Sequence, residues 1–161
     1  MCFLQPTYIY HSDITTVNLN QLKDDGIKGI ILDLDSTLMA PRSGFIDERV
    51  RNWLIQAEEQ FTLAVVTNNK NEKYIENAAN CLPMPVIGRA AKPSRKALYD
   101  VLDKLKLTPE EAVLIGDRPL TDILAGKRVG MKTCLVSPLA TMREHPFIIY
   151  LRKLERLVVK F

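Results

Sequence analysis

The sequence predicts an α/β fold, a doubly wound parallel sheet, and three observations carry that prediction. Five short apolar runs recur along the chain, at Ile30–Leu32, Phe61–Val66, Val86–Ile87, Ala112–Ile115 and Lys132–Val136. Segments with helical apolar spacing fall between most of them, so strand and helix alternate. The first and fourth runs are continuous in apolar residues, the mark of strands covered on both faces. Alternation of this kind implies parallel pairing, right-handed crossovers and helices on both faces of the sheet.

Each element has a local reason. Residues 1–28 read as an irregular lead-in with Pro6, Tyr8 and Tyr10, then a helix-like turn at Leu19 and Leu22 ended by Gly26, expected to pack along the sheet edge. After the first strand, Ala40-Pro41-Arg42-Ser43-Gly44 is a loop, and Asp47 starts a helix with Val50, Trp53, Leu54 and Ala57 on one face. A second helix carries Ile75, Ala78, Ala79 and Leu82, and Pro83 and Pro85 end it. Lys92-Pro93-Ser94 leads into a third helix with Leu98, Val101, Leu102 and Leu105 inward. Thr108-Pro109-Glu110-Glu111 spells a capping box that makes one turn before the fourth strand. Thr121-Asp122 then opens a helix that Gly130 closes. The whole of 1–161 reads as a single domain with no internal repeat.

Composition excludes several classes. Apolar content of 47% and charged content of 25% are ordinary globular values, and a formal charge of +3 gives no reason to expect nucleic-acid binding. That charge is unevenly placed: Arg143, Arg152, Lys153, Arg156 and Lys160 against Glu144 and Glu155 put all of it in residues 143–161. Cys2, Cys81 and Cys134 have neither CxxC spacing nor an even count, against a disulfide framework or a structural zinc, and Cys134 reads as core. A reducing compartment fits them. No run approaches a membrane-spanning length, and the N-terminus lacks a basic region followed by a sustained apolar one. The expectation is a protein that is not secreted and is either soluble or peripheral on a membrane.

Chemistry concentrates where the apolar runs stop. Ile30-Ile31-Leu32 runs directly into Asp33-Leu34-Asp35-Ser36-Thr37. Ionised carboxylates at the end of a core strand cost several kcal/mol unless a cation or donors meet them. A bound metal ion satisfies that need; the bland alternative is a polar turn with Asp33 as its cap. Thr67-Asn68 follows the second strand, Lys92 precedes a helix, and Asp117 follows the fourth strand with Asp122 beyond it. In an open parallel sheet these strand ends share one edge, where ligands bind near the topological switch point. Carboxylates for Mg²⁺, a hydroxyl and backbone N–H groups for phosphate oxygens, and a lysine as point charge make a coherent set for a phosphoryl group. Taken singly, Lys92 reads as a surface lysine, Thr67 as a strand end, and Asp117 and Asp122 as acids decorating a helix N-terminus.

Together, Asp33-Leu34-Asp35-Ser36-Thr37, Val65-Val66-Thr67-Asn68, Lys92-Pro93 and Gly116-Asp117-Arg118-Pro119-Leu120-Thr121-Asp122 resemble, in order, the four motifs of the haloacid dehalogenase (HAD) superfamily. The resemblance runs from about Gly26 to Val136 and implies a Rossmann-like HAD core. It implies that Asp33 attacks phosphorus and Asp35 serves as general acid and base. It also implies that Mg²⁺ sits on the Asp33 carboxylate, the Asp35 main-chain carbonyl and Asp117, with Asp122 acting through water or orienting Asp117. Thr67 and Asn68 would then bind the phosphoryl group and Lys92 would balance its charge. A second aspartate two residues after the first is the superfamily's mark of phosphatases and mutases. Independently of any family, thirty residues from Thr37 to Thr67 and twenty-five from Thr67 to Lys92 leave room for one helix each and no lid domain, so the core is capless and its site open.

A closer likeness is to the YqeG-like HAD subfamily IIIA phosphatases and the related phosphatidylglycerophosphate phosphatases of mitochondria and plastids. It rests on Gly26-Ile27-Lys28-Gly29, Thr67-Asn68-Asn69-Lys70, Arg89-Ala90-Ala91-Lys92-Pro93 and the segment from Gly116 to Asp122. It implies a phospholipid head group as substrate, within the cytoplasm, mitochondrial matrix or plastid. The segment 147–161 bears on this, with apolar residues at 147, 150, 151, 154, 157, 158 and 161 and Arg152, Lys153, Arg156 and Lys160 elsewhere. Such a basic amphipathic helix either lies on an anionic bilayer or closes the core or a subunit contact, which leaves a homo-oligomer open. The competing functions are a phosphatase of soluble monoesters, such as sugar phosphates, nucleotides or phosphoproteins, and a receiver-like signalling domain. The latter needs an acceptor aspartate where the second strand here ends in Thr67-Asn68-Asn69. An inactive binding module is opposed by the intact acids.

Overall fold

The computed structural model describes residues 4–40, 43–139 and 144–159, so the expectations at Cys2, Pro41, Arg42, Arg143, Lys160 and Phe161 lie outside the described residues. Six parallel strands form one sheet: β1 (Tyr8–Ile9), β2 (Gly29–Leu32), β3 (Thr62–Val66), β4 (Val86–Ile87), β5 (Ala112–Gly116) and β6 (Lys132–Leu135). Their order is β1-β6-β5-β2-β3-β4. From central β2 the chain winds outward through β3 and β4, then crosses back to β5 on the other side. The switch point therefore lies at the carboxyl end of β2.

Period two along each strand sorts its side chains between the two faces. Ile30, Leu32, Leu63, Val65, Val113 and Ile115 point to the face covered by α1 (Leu19–Asp24), α2 (Glu48–Glu58) and α3 (Glu72–Cys81). Ile31, Ala64, Val66, Ala112 and Leu114 point to the other, under α4 (Lys96–Leu105) and α5 (Leu124–Val129). The predicted stripe of α2 is wholly buried, and Trp53 donates its indole N–H to the Val17 carbonyl, which ties the lead-in to the core. Cys134 is buried and Cys81 exposed, both as free thiols.

Three details depart from expectation. The lead-in adds a strand: Tyr8 and Ile9 pair with Cys134 and Leu135 at the sheet edge. Two residues are too few to show a period, so only pairing with β6 defines the element. On α3, Ala79 is exposed and Ile75 half-buried; Tyr74, Ala78 and Leu82 pack on the core, so the inward face includes Tyr74 in place of Ala79. The helix expected from Thr121 begins as a π-helical turn, Pro119–Ile123, before α5 and its Gly130 cap. That wider turn draws Asp122 inward.

The last helix, α6 (Pro146–Val158), contradicts the idea that its apolar stripe closes the core. Phe147, Tyr150, Leu154, Leu157 and Val158 are exposed, whereas Arg152 and Glu155 are buried. At its end Val159 joins Ile123 and Leu135 in a small apolar cluster, anchoring the helix beside the strand ends.

Candidate active site

Backbone pairing delivers the acids. Asp33 N–H donates to the Ile115 carbonyl at 2.9 Å, extending the β2–β5 ladder by one residue past the last strand position. Asp33 and Asp117 therefore emerge side by side. After Asp35 the chain reverses in a tight turn: Ser36 has φ of 66° and its N–H bonds the Met39 carbonyl at 2.8 Å. A left-handed conformation at a non-glycine residue is costly, and here it lies at the strand end that carries two aspartates.

Lys92 arrives by a second route. The loop after β4 is tied to the end of β3 by Arg89 N–H to the Asn69 carbonyl and Ala90 N–H to the Thr67 carbonyl, with Arg89 and Ala91 both left-handed. Asn68 then clamps the lysine backbone, its Oδ1 accepting from Lys92 N–H at 2.6 Å and its Nδ2 donating to the Lys92 carbonyl at 2.9 Å. So held, Lys92 Nζ reaches Asp33 Oδ1 at 2.6 Å and Asp122 Oδ1 at 2.7 Å. Asp122 can come this close because residue 116 is glycine: a Cβ there would lie 2.4 Å from the Asp122 carboxylate. The glycine of the GDxxxxD spelling is thus needed for space.

Asp33, Asp117 and Asp122 each offer a carboxylate oxygen within 4.8 Å of the others, a geometry able to hold a metal ion. All three are buried. Arg152 Nε stands 2.5 Å from Asp117 Oδ2, and Lys92 Nζ 2.7 Å from Asp122 Oδ1. Each of these oxygens is thus met by a cation at ion-pair distance in the metal-free chain. Carboxylate oxygens gathered this closely are the donor set a hard cation takes.

Electrostatics agree. Burial holds Asp33 well above the usual carboxylate range; Lys92 opposes the shift, and Asp122 and Asp117 add to it. Asp117 is pushed up to about 7 by burial, opposed by Arg152 and reinforced by Asp122 and Glu144. Burial alone would depress Lys92, but Asp122 and Asp33 outweigh it and raise its pKa. Lys92 stays an ammonium, while mutual repulsion and burial favour the protonated forms of Asp33 and Asp117 in the metal-free chain.

Asp35 stands apart from this cluster, half-buried, its Oδ2 accepting from Thr67 Oγ1 at 3.1 Å and from Asn69 Nδ2 at 3.4 Å. Thr67 Oγ1 in turn accepts from Asn69 N–H. All seven residues singled out in the sequence, Asp33, Asp35, Thr67, Asn68, Lys92, Asp117 and Asp122, line one cavity of about 170 Å³. Asp122 takes a more direct place than expected, its own carboxylate joining the cluster, while the Asn68 carboxamide is committed to the Lys92 backbone.

Sequence reasoning missed Glu144, Ile148 and Arg152, which also line the cavity. No lid domain interrupts the core, as expected of a capless fold, and α6 adds Ile148 and Arg152 to the cavity wall. Arg152 bonds Glu144 through Nη1 at 2.7 Å, Arg118 pairs with Glu155, and Arg156 Nη2 donates to the Asp117 carbonyl at 3.0 Å. The available signal was the helical spacing of Arg152, Glu155 and Arg156, with Ile148 one turn before them, a mainly charged stripe beside the apolar one.

Known proteins bear on this geometry. A family model described as "HAD-hyrolase-like" matches residues 89–145, which include Lys92, Asp117 and Asp122. The chain is 34% identical over 129 residues to the probable phosphatase YqeG of Bacillus subtilis, covering 80% of this chain and 75% of that one. It is 32% identical over 159 residues to phosphatidylglycerophosphate phosphatase 1 of Arabidopsis thaliana, covering 92% of this chain but only 45% of that protein. Among solved structures, an uncharacterised protein from Listeria monocytogenes superposes with a TM-score of 0.58 at 16% identity, over 84% of this chain and 100% of that one. A HAD family enzyme from Bacteroides thetaiotaomicron, solved as a magnesium complex, gives 0.53 at 11% identity, over 73% and 97%. At these identities the two structures speak for the fold. With the strand-end motifs and the YqeG match, they make the chain a member of the HAD-like hydrolases and an enzyme of their phosphatase branch.

Proposed function

We propose that this phosphatase is Mg²⁺-dependent, works through an aspartyl phosphate on Asp33, and converts phosphatidylglycerophosphate to phosphatidylglycerol and inorganic phosphate. The observation that carries the reading is the meeting of Asp33, Asp117, Asp122 and Lys92 around one small cavity. Three buried carboxylates with oxygens within 4.8 Å of one another fit a hard dication, which Asp33, Asp117 and Asp122 would hold, together with the Asp35 carbonyl. Bound there, Mg²⁺ supplies positive charge to the phosphoryl oxygens.

The remaining chemistry belongs to the chain. An Asp33 carboxylate oxygen forms a bond to phosphorus as the bond to the ester oxygen breaks, and Asp35 gives that oxygen its proton. Asp35 then takes a proton from water as the water oxygen attacks phosphorus, releasing phosphate and restoring the Asp33 carboxylate. Thr67 through its hydroxyl and Asn68 through its main chain hold the phosphoryl oxygens, and Lys92 balances their charge while opposing the burial that favours protonation of Asp33.

Two features favour a lipid ester. A cavity of about 170 Å³ is below the usual range for whole-ligand pockets, so it admits the reacting phosphoryl group and leaves the bulk of the substrate outside. Beside the cavity, α6 turns five apolar side chains outward, two of them the aromatic Phe147 and Tyr150, with Lys153 exposed among them. Aromatic and basic residues on such a face suit the surface of an anionic bilayer, which supports peripheral attachment through 147–161 in the cytoplasm or an organelle interior. None of the described helices is long and apolar enough to cross a membrane. The relatives named for phosphatidylglycerophosphate add chemical precedent.

The test is phosphate release from phosphatidylglycerophosphate in mixed micelles against a panel of soluble monoesters, with Asp33→Asn as control. A clear preference for the lipid is expected; faster release from a sugar phosphate or nucleotide would transfer the assignment to a soluble substrate.

A further inference from the structure

The acids of the cluster face two cations that differ in how they are held. Lys92 is fixed from behind by the Asn68 clamp and lies between Asp33 and Asp122. Arg152 comes from α6 and is shared: Nε stands 2.5 Å from Asp117 Oδ2, while Nη1 bonds Glu144 Oε2 and Nη2 pairs with Glu144 Oε1. The two partners are not equivalent. Towards Glu144 the guanidinium makes a two-pronged, well-directed pair, the strongest arrangement open to it. Towards Asp117 it makes a single contact, through Nε, against the two it makes with Glu144. Glu144 is itself steadied by Ser36 Oγ, which donates to Oε1 at 3.0 Å from the turn that follows Asp35.

We propose that Arg152 is a positioning residue that competes with the divalent cation for Asp117, with Glu144 as the alternative holder of its guanidinium. The inference rests on the reading of Asp117 as a cation ligand. With no cation bound, Arg152 supplies the charge that lets Asp117 stay buried near Asp33 and Asp122. A cation on the cluster takes over that duty, and the guanidinium keeps its directed pair with Glu144. An arginine serves here because it can face one carboxylate with Nε and another with its Nη pair, which a lysine cannot. Because Arg152 is on α6, the tail helix sets the cation affinity of a cluster built by the strands.

The competition predicts opposite signs for two variants, which a merely structural role for α6 would not produce. Isothermal titration of metal-free protein with Mg²⁺ alone, without substrate, reads it directly. Arg152→Gln removes the competitor and is expected to bind Mg²⁺ about tenfold more tightly, in the range of coupling between close charge pairs. Glu144→Gln removes the alternative holder, leaves Arg152 committed to Asp117, and is expected to bind severalfold more weakly. Thermal melts check that both variants are folded. Equal affinity in wild type and both variants, or shifts of the same sign, overturn the proposal and leave the phosphatase reading intact. Absence of Mg²⁺ binding in the wild type overturns both the cation reading and this proposal.

Discussion

The strand-end cluster and the tail helix both bury charge, and they do so by opposite routes. In the cluster, apolar strands carry their terminal acids to one edge, and the paired backbone fixes where each acid emerges. Asp33 and Asp117 stand together because the β2–β5 ladder makes them neighbours. In α6 the inward face is the one that matches the surface beneath the helix. That surface holds Asp117, its carbonyl and the Val136 carbonyl, so arginines turn inward and the apolar stripe turns out. An amphipathic pattern says that two faces differ; the surface it meets decides which face is buried.

Substitutions can break that contrast, and the largest effect belongs to the cluster. Asp33→Asn removes the nucleophile, and turnover should fall by on the order of 10⁴-fold or more with the far-UV spectrum unchanged. Next comes the fixed cation. Lys92→Met leaves Asp33 and Asp122 buried without their partner, and urea unfolding should register a loss of about 3–5 kcal/mol in metal-free protein. A loss below about 1 kcal/mol would mean that the acids do not depend on Lys92.

Space at the end of β5 ranks third. Gly116→Ala must displace the Asp122 carboxylate, and Mg²⁺ affinity should fall about 10- to 100-fold, the usual effect of disturbing groups around a metal site. The pH dependence is smaller. The Asp117 carboxyl titrates at about 7 in the fold against an ordinary value of 3.8, so between these values the folded chain holds a proton that the unfolded chain has lost. Stability of the metal-free protein should therefore fall as pH rises through that window, by up to about 1.4 kcal/mol per unit. Saturating Mg²⁺ should flatten the slope, and a flat metal-free curve would show that Asp117 is ionised throughout. The smallest effect lies on the outer face of α6. Leu157 is 77% exposed, so Leu157→Ser should change stability by no more than about 0.5 kcal/mol while weakening attachment to anionic vesicles.

The cluster was legible in the sequence because each of its residues follows an apolar run or precedes a helix, and because parallel topology brings strand ends to one edge. The fold was legible for the same reason, down to the capping box at Thr108 and the stripe of α2. What escaped was set by contact between distant segments. Two residues of β1 show no period by themselves. The inward draw of Asp122 depends on a π-helical turn and on the missing Cβ of Gly116. The side of α6 that faces in was hidden because its apolar stripe is the stronger signal, and only the charges it meets reverse the usual choice.

The central claim is that Asp33 carries the phosphoryl group during turnover. Acid quench during steady turnover of para-nitrophenyl phosphate with Mg²⁺, followed by peptide mass analysis, tests it most directly. A phosphoryl group on the peptide containing Asp33, absent from Asp33→Asn, is the predicted result. Undiminished turnover in Asp33→Asn, or a phosphoryl group trapped on another residue, would contradict it.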